Sequence, residues 1–330
     1  MRPLAARRRA FFVIGGLALA GIAAFAIALV SGEFAVTAGQ AWAALFAGAS
    51  GMEAEVVRQL RLPRALAVFV CGGLLAMAGA LMQVLLRNPL ADPYVLGISG
   101  GAAVGALSAM LFGLAPLVVD AAAFAGALTA MLLVFGLAHG DGSWTQTRLL
   151  LTGVIVAAGC GAVITLMLSL APDTRVQSML FWLMGDASGA KRPWPALVVL
   201  LAGLVVVLPF ARDLNVLARG ETTALALGVR VQRLRYLLYV VASLLTAVAV
   251  TLIGSVGFVG LVVPHLVRFV IGNDQRLLLP AAMLAGGALL TLADTAARTV
   301  IAPTQLPVGV LTALIGVPVF LFLLSRAPRS

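Results

Sequence analysis

Long apolar runs separated by short polar segments are the main pattern of this 330-residue chain. Most runs are close to the roughly 20 apolar residues that an α-helix needs to cross a bilayer. The pattern predicts about ten membrane-spanning helices, and an even number places both termini on the same side of the membrane. The predicted spans are 10–31, 63–85, 93–112, 117–138, 147–170, 193–211, 231–252, 256–271, 278–297 and 306–325.

Basic residues orient these spans, because cytoplasmic loops carry more Lys and Arg than external loops do. With the N-terminus inside, 15 of the 22 basic residues fall on the cytoplasmic side and 7 fall outside. The first apolar run is too long for the apolar region of a typical signal peptide. We therefore expect an uncleaved first helix and two cytoplasmic termini.

The polar segment RNPLADP, between the second and third spans, carries helix stop and start signals. A proline disfavours helical geometry in the residue before it, so Asn88 is predicted to end one helix. Asp92 can cap the next helix, with Pro93 in its first position. The segment therefore predicts a sharp turn on the cytoplasmic side.

Three glycines, Gly97, Gly101 and Gly105, recur every four residues in the third span. This spacing predicts one helix face that another backbone can approach closely. Spacing alone leaves two roles open, which are ordinary helix packing and the lining of a path through the protein. The two cysteines, Cys71 and Cys160, lie in separate apolar spans and are expected to be small packing residues.

The longest polar stretch on the predicted cytoplasmic side runs from Arg212 to Arg235. Leucines alternate with polar residues there, and Gly220 and Gly228 interrupt the pattern. This composition predicts two short helices on the cytoplasmic surface. An ordinary interfacial loop and a docking element for a cytoplasmic partner both agree with it.

Composition supports a single membrane domain without a separate soluble domain. Hydrophobic residues make up 62% of the chain and charged residues only 10%, against roughly 25% in soluble proteins. The net charge of +10 could suggest nucleic-acid binding. The arginines, however, flank apolar spans rather than forming one basic stripe, so we attribute the charge to membrane topology.

The chain contains no nucleotide-binding motif. A Walker A loop needs Gly-Lys followed by Ser or Thr, because the lysine neutralises phosphate charge and the hydroxyl contacts Mg²⁺. The only lysine, Lys191, stands between Ala190 and Arg192. Any ATP that drives this protein must be bound by another chain. No catalytic triad motif is evident, and two distant histidines provide no metal site.

Carboxylates suited to ion coupling inside the membrane are few. Asp120 and Asp294 lie near the outer ends of their predicted spans, and nothing resembles a relay of several buried carboxylates. His265, which follows Pro264, is expected to be a packed or hydrogen-bonded structural residue. An ion-gradient-driven secondary transporter or channel and a polytopic membrane enzyme remain alternatives to an ATP-driven machine.

Three arginines on the predicted outer side could form a positive patch for an acidic partner. Arg61 and Arg64 are about one helical turn apart, so they share a face at a span entrance. Arg298 ends another span on the same side. An ion pair between Arg298 and Asp294 four residues earlier, or simple anchoring at the interface, explains them as well. Spacing by itself favours anchoring.

Several blocks of sequence, in order along nearly the whole chain after the first span, resemble the FecCD family. These proteins are the permease subunits of binding-protein-dependent ABC importers for iron chelates, haem and vitamin B12. The matching blocks are RLPRALAVFVCGGLLAMAGALMQVLLRNPLADPYVLGISGGAAVG (61–105), LLLTGV (149–154), FWLMG (181–185), LARGETTALALGV (217–229), GSVGFVGLVVPHLVRFVIGNDQRLLLP (254–280), LADTAAR (292–298) and LPVGVLTALIGVPVFLFLL (306–324).

The resemblance implies an all-α, ten-helix permease of the type II ABC importer fold, formed by one transmembrane domain over residues 1–330. It implies a homodimer in the bacterial inner membrane, two ATPase subunits that bind ATP and magnesium, and an external substrate-binding protein. The chain itself would bind no cofactor, metal or nucleic acid and would catalyse no reaction. The implied cargo is a ferric siderophore, haem or cobalamin.

The resemblance also implies roles for particular residues. Arg61, Arg64 and Arg298 match the family's outer docking arginines. The family's coupling helices match residues 214–229, with Leu217, Gly220, Glu221, Leu227 and Gly228 in place. The segment 175–186 matches the outer gate helix, with Phe181, Trp182 and Met184 as gate or path residues.

Overall fold

The computed structural model describes residues 2–138, 145–190 and 192–326, so Lys191 lies outside the described residues. All regular secondary structure in this part of the chain is helical. The α-helices are α1 Arg2–Val30, α2 Ala38–Phe46, α3 Met52–Glu55, α4 Leu62–Leu85, α5 Ile98–Leu111, α6 Pro116–Ala138, α7 Gln146–Leu170, α8 Asp173–Leu183, α9 Trp194–Val207, α10 Ala211–Leu217, α11 Glu221–Ala226, α12 Val231–Ile253, α13 Val259–Ile271, α14 Gln275–Thr299 and α15 Val308–Arg326.

Each of the ten predicted spans coincides with one helix. Among the described residues, seven helical stretches are long and apolar enough to cross a membrane, those that contain α1, α4, α6, α7, α9, α12 and α14. Three shorter apolar helices, α5, α13 and α15, account for the other predicted spans. The prediction of an all-α polytopic membrane protein is therefore confirmed.

The second span begins earlier than the sequence predicted. Helical backbone is continuous over Met52–Leu85, through a π-helical segment at Val56–Arg61, whereas the apolar pattern predicted a start at residue 63. Pro63 has no amide to donate, yet it lies in the first turn of α4, directly after the wider π-helical turn. The proline therefore does not mark the beginning of the helix.

Two local predictions about the polar segments are confirmed. Asp92 caps a short 3₁₀ helix at Pro93–Leu96, because its side chain accepts a hydrogen bond from Tyr94 N, and proline occupies the first position. The polar stretch 212–235 contains the two short helices α10 and α11. The α-helix after the turn starts only at Ile98, since Gly97 adopts a left-handed conformation with φ of 73°.

Helix α4 is the centre of the molecule. In its most apolar stretch 89% of the residues are buried, against 11% for α7. Neighbouring backbones approach α4 closely at glycines: a Cβ added at Gly72 would collide with the carbonyl of Gly286 in α14, and one at Gly79 with the carbonyl of Gly260 in α13. Small residues let helices pack this closely in membranes, where hydrophobicity does not drive helix association.

The three glycines of the third span do not share one face, which corrects the sequence prediction. Gly101 and Gly105 lie against α6, where an added Cβ would meet the carbonyls of Gly126 and Ala122. Gly97 precedes the helix, and an added Cβ there would lie 3.1 Å from Val156 of α7. The reason is the left-handed turn at Gly97, which breaks the helical periodicity that the spacing assumed.

Candidate functional site

Two arginines hold the C-terminal end of α1. Arg61 is buried, with 6% of its surface exposed, and its guanidinium donates to the carbonyls of Leu29 (2.8 Å), Val30 (3.0 Å) and Phe34. Arg298 donates to the carbonyls of Ser31 (2.7 Å) and Ala28 (2.5 Å). Carbonyls at a helix C-terminus lack hydrogen-bond partners within the helix and carry partial negative charge. A guanidinium group donates hydrogen bonds to them and also provides a positive charge.

The third arginine of the set, Arg64, pairs with a buried carboxylate. Its Nη2 lies 2.9 Å from Asp294 Oδ1 and its Nε 3.1 Å from Oδ2, while Nη1 donates to Gln305. Asp294 is only 3% exposed, and its Oδ2 also lies 3.7 Å from Arg298 Nε. The sequence analysis offered an ion pair between Arg298 and Asp294 as one explanation of Arg298, and this ion pair is present.

The structure thus brings Arg61, Arg64 and Arg298 together into one group, called here the arginine cluster. A Cβ at Gly32 would lie 2.9 Å from Arg61 Nη2 and 3.1 Å from Arg298 Nη1. Arg64 and Arg298 share one carboxylate, Asp294, and Arg61 adds a third guanidinium beside Arg298, so the cluster keeps an excess of positive charge. Most of its donors are already engaged with carbonyl oxygens or with Asp294, and its side chains are largely buried.

The residues matched to the coupling helices occupy the opposite end of α4. Leu217 is buried at the end of α10, and Gly220 leads into α11 with φ of 133°. Glu221 opens α11, where a carboxylate interacts favourably with the helix dipole. Leu227 is 66% exposed and Gly228 adopts φ of 77°, so the segment presents an apolar side chain on a sharply turned backbone.

Glu221 also makes contacts that the sequence did not reveal. Its Oε2 lies 2.6 Å from Arg235 Nη2 in α12 and 3.9 Å from Arg87 Nη2 after α4. The Arg87 guanidinium also reaches Gln146 Oε1 at the start of α7, at 2.9 Å from Nη2. These residues lie far apart in sequence, and no local motif connects them.

The segment matched to the outer gate forms α8 and its C-terminal turn. Phe181, Trp182 and Met184 are all half-buried. Backbone contacts hold this end of α8: Asp186 N donates to Ile253 O (2.8 Å), and Val308 N donates to Gly185 O (3.1 Å). The turn is therefore joined to the end of α12 and the start of α15.

Glycines make this junction possible, and sequence reasoning missed them. A Cβ at Gly254 would collide with the carbonyl of Trp182, and one at Gly309 with that of Met184. Tyr94 adds a side-chain link, because its hydroxyl accepts a hydrogen bond from Val256 N at 3.0 Å. Both glycines lie within a few residues of the end of a predicted span. That position was the only signal in the sequence that they join two helix ends.

Two titratable groups outside the arginine cluster, Asp92 and His265, were expected from the sequence to have structural roles. Burial raises the pKa of the Asp92 carboxyl to about 6, although the hydrogen bond from the Tyr94 amide opposes the shift. His265 is half-buried and packs edge-on against Phe269, with ring centroids 4.8 Å apart. Within the described residues no group of three His, Cys, Asp or Glu side chains is arranged to hold a metal ion.

Comparison with known proteins decides the family. The model of the FecCD transport family matches residues 19–326. The chain belongs to the FecCD family. The match covers α2 to α15 in full and the C-terminal part of α1. The resemblance read from the sequence blocks is therefore confirmed.

Two relatives of the chain are named as permeases of import or transport systems. The chain is 46% identical to the cobalamin import system permease protein of Halobacterium salinarum, over 82% of this chain and 73% of that protein. It is 43% identical to the hemin transport system permease protein of Yersinia pestis, over 81% and 82% of the two chains.

A solved structure of a metal-chelate type ABC transporter in an inward-facing conformation is similar in fold. It matches with a TM-score of 0.83 and 30% identity, over 96% of this chain and 99% of that one. Together with the relatives, it identifies the protein as a multi-pass permease subunit of an ABC importer. Membership of this family implies transport without catalysis by the chain itself.

Proposed function

We propose that two copies of this chain form the membrane pathway of an importer for a metal chelate, either a ferric siderophore, haem or cobalamin. The observation that carries this proposal is the FecCD match over residues 19–326, together with relatives named for cobalamin and hemin transport. The cargo crosses without covalent change, in agreement with the lack of a catalytic motif in the sequence.

ATP hydrolysis belongs to two separate ATPase subunits in this proposal, since the sequence has no Walker A loop. Helices α10 and α11 are the contact with those subunits, and they act as coupling helices. Their exposed leucines, Leu225 and Leu227, suit burial in a groove of a partner. The excess of basic residues at this end supports a cytoplasmic position and cytoplasmic termini.

The second copy of the chain packs against α7 and α15 in this proposal. Only 11% of the most apolar stretch of α7 is buried within one chain, which is less than in the neighbouring spans that contain α6 and α9. Exposed apolar residues of α15, such as Leu314 and Leu321, offer a further surface. The path then runs between the two copies, with α8 and its residues Phe181, Trp182 and Met184 at the outer entrance.

An external substrate-binding protein docks on the arginine cluster in this proposal. The excess positive charge around Asp294 attracts acidic side chains and speeds encounter. After docking of the loaded binding protein, closure of the ATPases moves α10 and α11, and the inner and outer gates open alternately.

Reconstitution tests the proposed function. Proteoliposomes that contain this permease, its ATPase subunits and its binding protein should accumulate one of three labelled cargoes, haem, cobalamin or a ferric siderophore, only when ATP is supplied. Vesicles that contain the permease alone should accumulate none. Uptake by the permease alone, driven by an ion gradient, would identify a secondary transporter and would contradict the proposal.

The docking role predicts a loss of affinity for the binding protein. Arg64→Gln removes a charge from the arginine cluster but keeps hydrogen-bonding groups, so the affinity should fall about tenfold and depend less on salt. Surface plasmon resonance on the detergent-solubilised complex measures both quantities. Arg58→Gln is the control, because Arg58 lies at the same end and is exposed, and its Nε donates to the Ala44 carbonyl rather than to Asp294. Equal affinities of Arg64→Gln and the unmodified protein would exclude docking at Arg64.

A further inference from the structure

Arg87 stands at the point where three elements meet at the cytoplasmic end. It follows α4 directly, and its backbone is in the left-handed region with φ of 46°. Of the described residues other than glycine, only Arg87 and Phe258 have a positive φ. This conformation closes α4 in a Schellman motif, in which Arg87 N donates to Val84 O and Asn88 N donates to Gln83 O, both at 3.2 Å. The turn directs the Arg87 side chain toward α7 and α11.

The first of these contacts ties the end of α4 to the start of α7. Arg87 Nε and Nη2 lie 3.3 Å and 2.9 Å from Gln146 Oε1. The amide nitrogen of the same Gln146 donates to the Leu85 carbonyl at 2.9 Å. Both ends of the Gln146 side chain are thus used to hold the first residue of α7 against α4.

The second contact reaches α11. Arg87 Nη2, the same atom that donates to Gln146, lies 3.9 Å from Glu221 Oε2. Glu221 is held more firmly by Arg235 of α12, at 2.6 Å. The pair of Arg87 and Glu221 is long and about one-third exposed on both sides, so it contributes little to the stability of the fold.

We propose that Arg87 is a positioning residue that transmits the movement of α11 to α7. This inference rests on the proposed function, in which α11 contacts the ATPase. A shift of α11 moves the Glu221 carboxylate relative to the Arg87 guanidinium, and the guanidinium carries Gln146 and the start of α7 with it. The planar guanidinium serves this role because it can face two acceptors at once, whereas an ammonium group has no such fork.

A comparison of transport with ATP hydrolysis tests this role. In proteoliposomes that contain the full complex, Arg87→Gln should lower uptake per ATP hydrolysed about fivefold, with the hydrolysis rate unchanged within about twofold. Arg87→Lys should fail to restore coupling, since it lacks the fork. Melting temperatures within about 2 °C of the unmodified complex are expected, because the contacts are exposed.

Arg233→Gln is the matched control, since Arg233 is an exposed arginine of α12 and lies outside residues 214–229. It should leave uptake per ATP unchanged. Gln146→Leu breaks the same link from the α7 side and should reproduce the loss of coupling, which keeps the test decisive if Arg87→Gln fails to fold. A parallel fall of uptake and hydrolysis, or no change in either, would overturn the role of Arg87.

Spin labels separate this inference from the proposed function itself. Labels on cysteines introduced at Thr222 in α11 and Thr147 at the start of α7, which are exposed and are not among the leucines proposed to contact the ATPase, report the distance between the two helices. In the unmodified complex this distance should stay constant when nucleotide is trapped, whereas in Arg87→Gln it should change because α7 no longer follows α11. A change in the unmodified complex would overturn the relay, while absence of any ATP-dependent uptake by that complex would overturn the proposed function.

Discussion

Replacing Gly79 with alanine should strongly destabilise this protein. The added Cβ would collide with the carbonyl of Gly260 and stand 2.8 Å from its Cα. Both atoms belong to backbone, so no side-chain rotation relieves the overlap, and α4 must separate from α13. Overpacking of a core costs about 1–3 kcal/mol, and we expect at least the upper end of that range here.

Thermal unfolding in detergent, followed by size-exclusion chromatography, measures this effect. Gly136→Ala in α6 is the matched control, because an added Cβ there meets nothing within 4 Å. Alanine is the better helix former by about 1 kcal/mol, so this variant should be as stable as the unmodified protein or slightly more stable. A Gly79→Ala protein with an unchanged melting temperature would mean that α4 and α13 do not pack as closely as described.

The second large effect is expected for Asp294→Asn. This carboxylate is the counter-charge of Arg64 and Arg298, and it is 3% exposed. The amide is nearly isosteric, so the change removes charge while it preserves volume. Loss of one partner from a buried ion pair leaves the other charge uncompensated and costs about 3 kcal/mol or more. The melting temperature of the detergent-solubilised protein should fall accordingly.

Glu33→Gln provides the control for this prediction. Glu33 is an exposed carboxylate just after α1, close in sequence to the carbonyls that the arginine cluster holds. Its replacement should change stability by less than about 0.5 kcal/mol. Equal melting temperatures for Asp294→Asn and Glu33→Gln would indicate that the arginines are balanced by their carbonyl contacts alone.

Much of the architecture could be predicted because it depends on local chemistry. Apolar runs must be helical in lipid, since every backbone amide needs a partner within the segment. Asp92 caps the turn before the third span, and Gly220 and Gly228 bound the short helix α11. Blocks of sequence around these residues also indicated the FecCD family.

The candidate site was harder to predict, because its contacts join distant parts of the chain. Arg61 and Arg64 were expected to act together on one face. Both belong to the arginine cluster, but their contacts differ: Arg61 holds the end of α1, whereas Arg64 pairs with Asp294 in α14. Arg87 and Gln146 drew no attention in the sequence, since their significance lies in a contact between the ends of two helices.

The sequence by itself determined that this protein is an all-α, multi-pass membrane permease, approximately where its apolar helices lie, and to which family it belongs. Only the tertiary structure decided that α4 is the buried centre, that Gly97 faces α7, and that the arginine cluster is engaged with α1 and Asp294. The physical reason is that lipid tails are as apolar as leucine, so hydrophobicity marks a span without telling which side faces protein. That distinction arises from close backbone approach and from paired charges, which exist only once the helices have assembled.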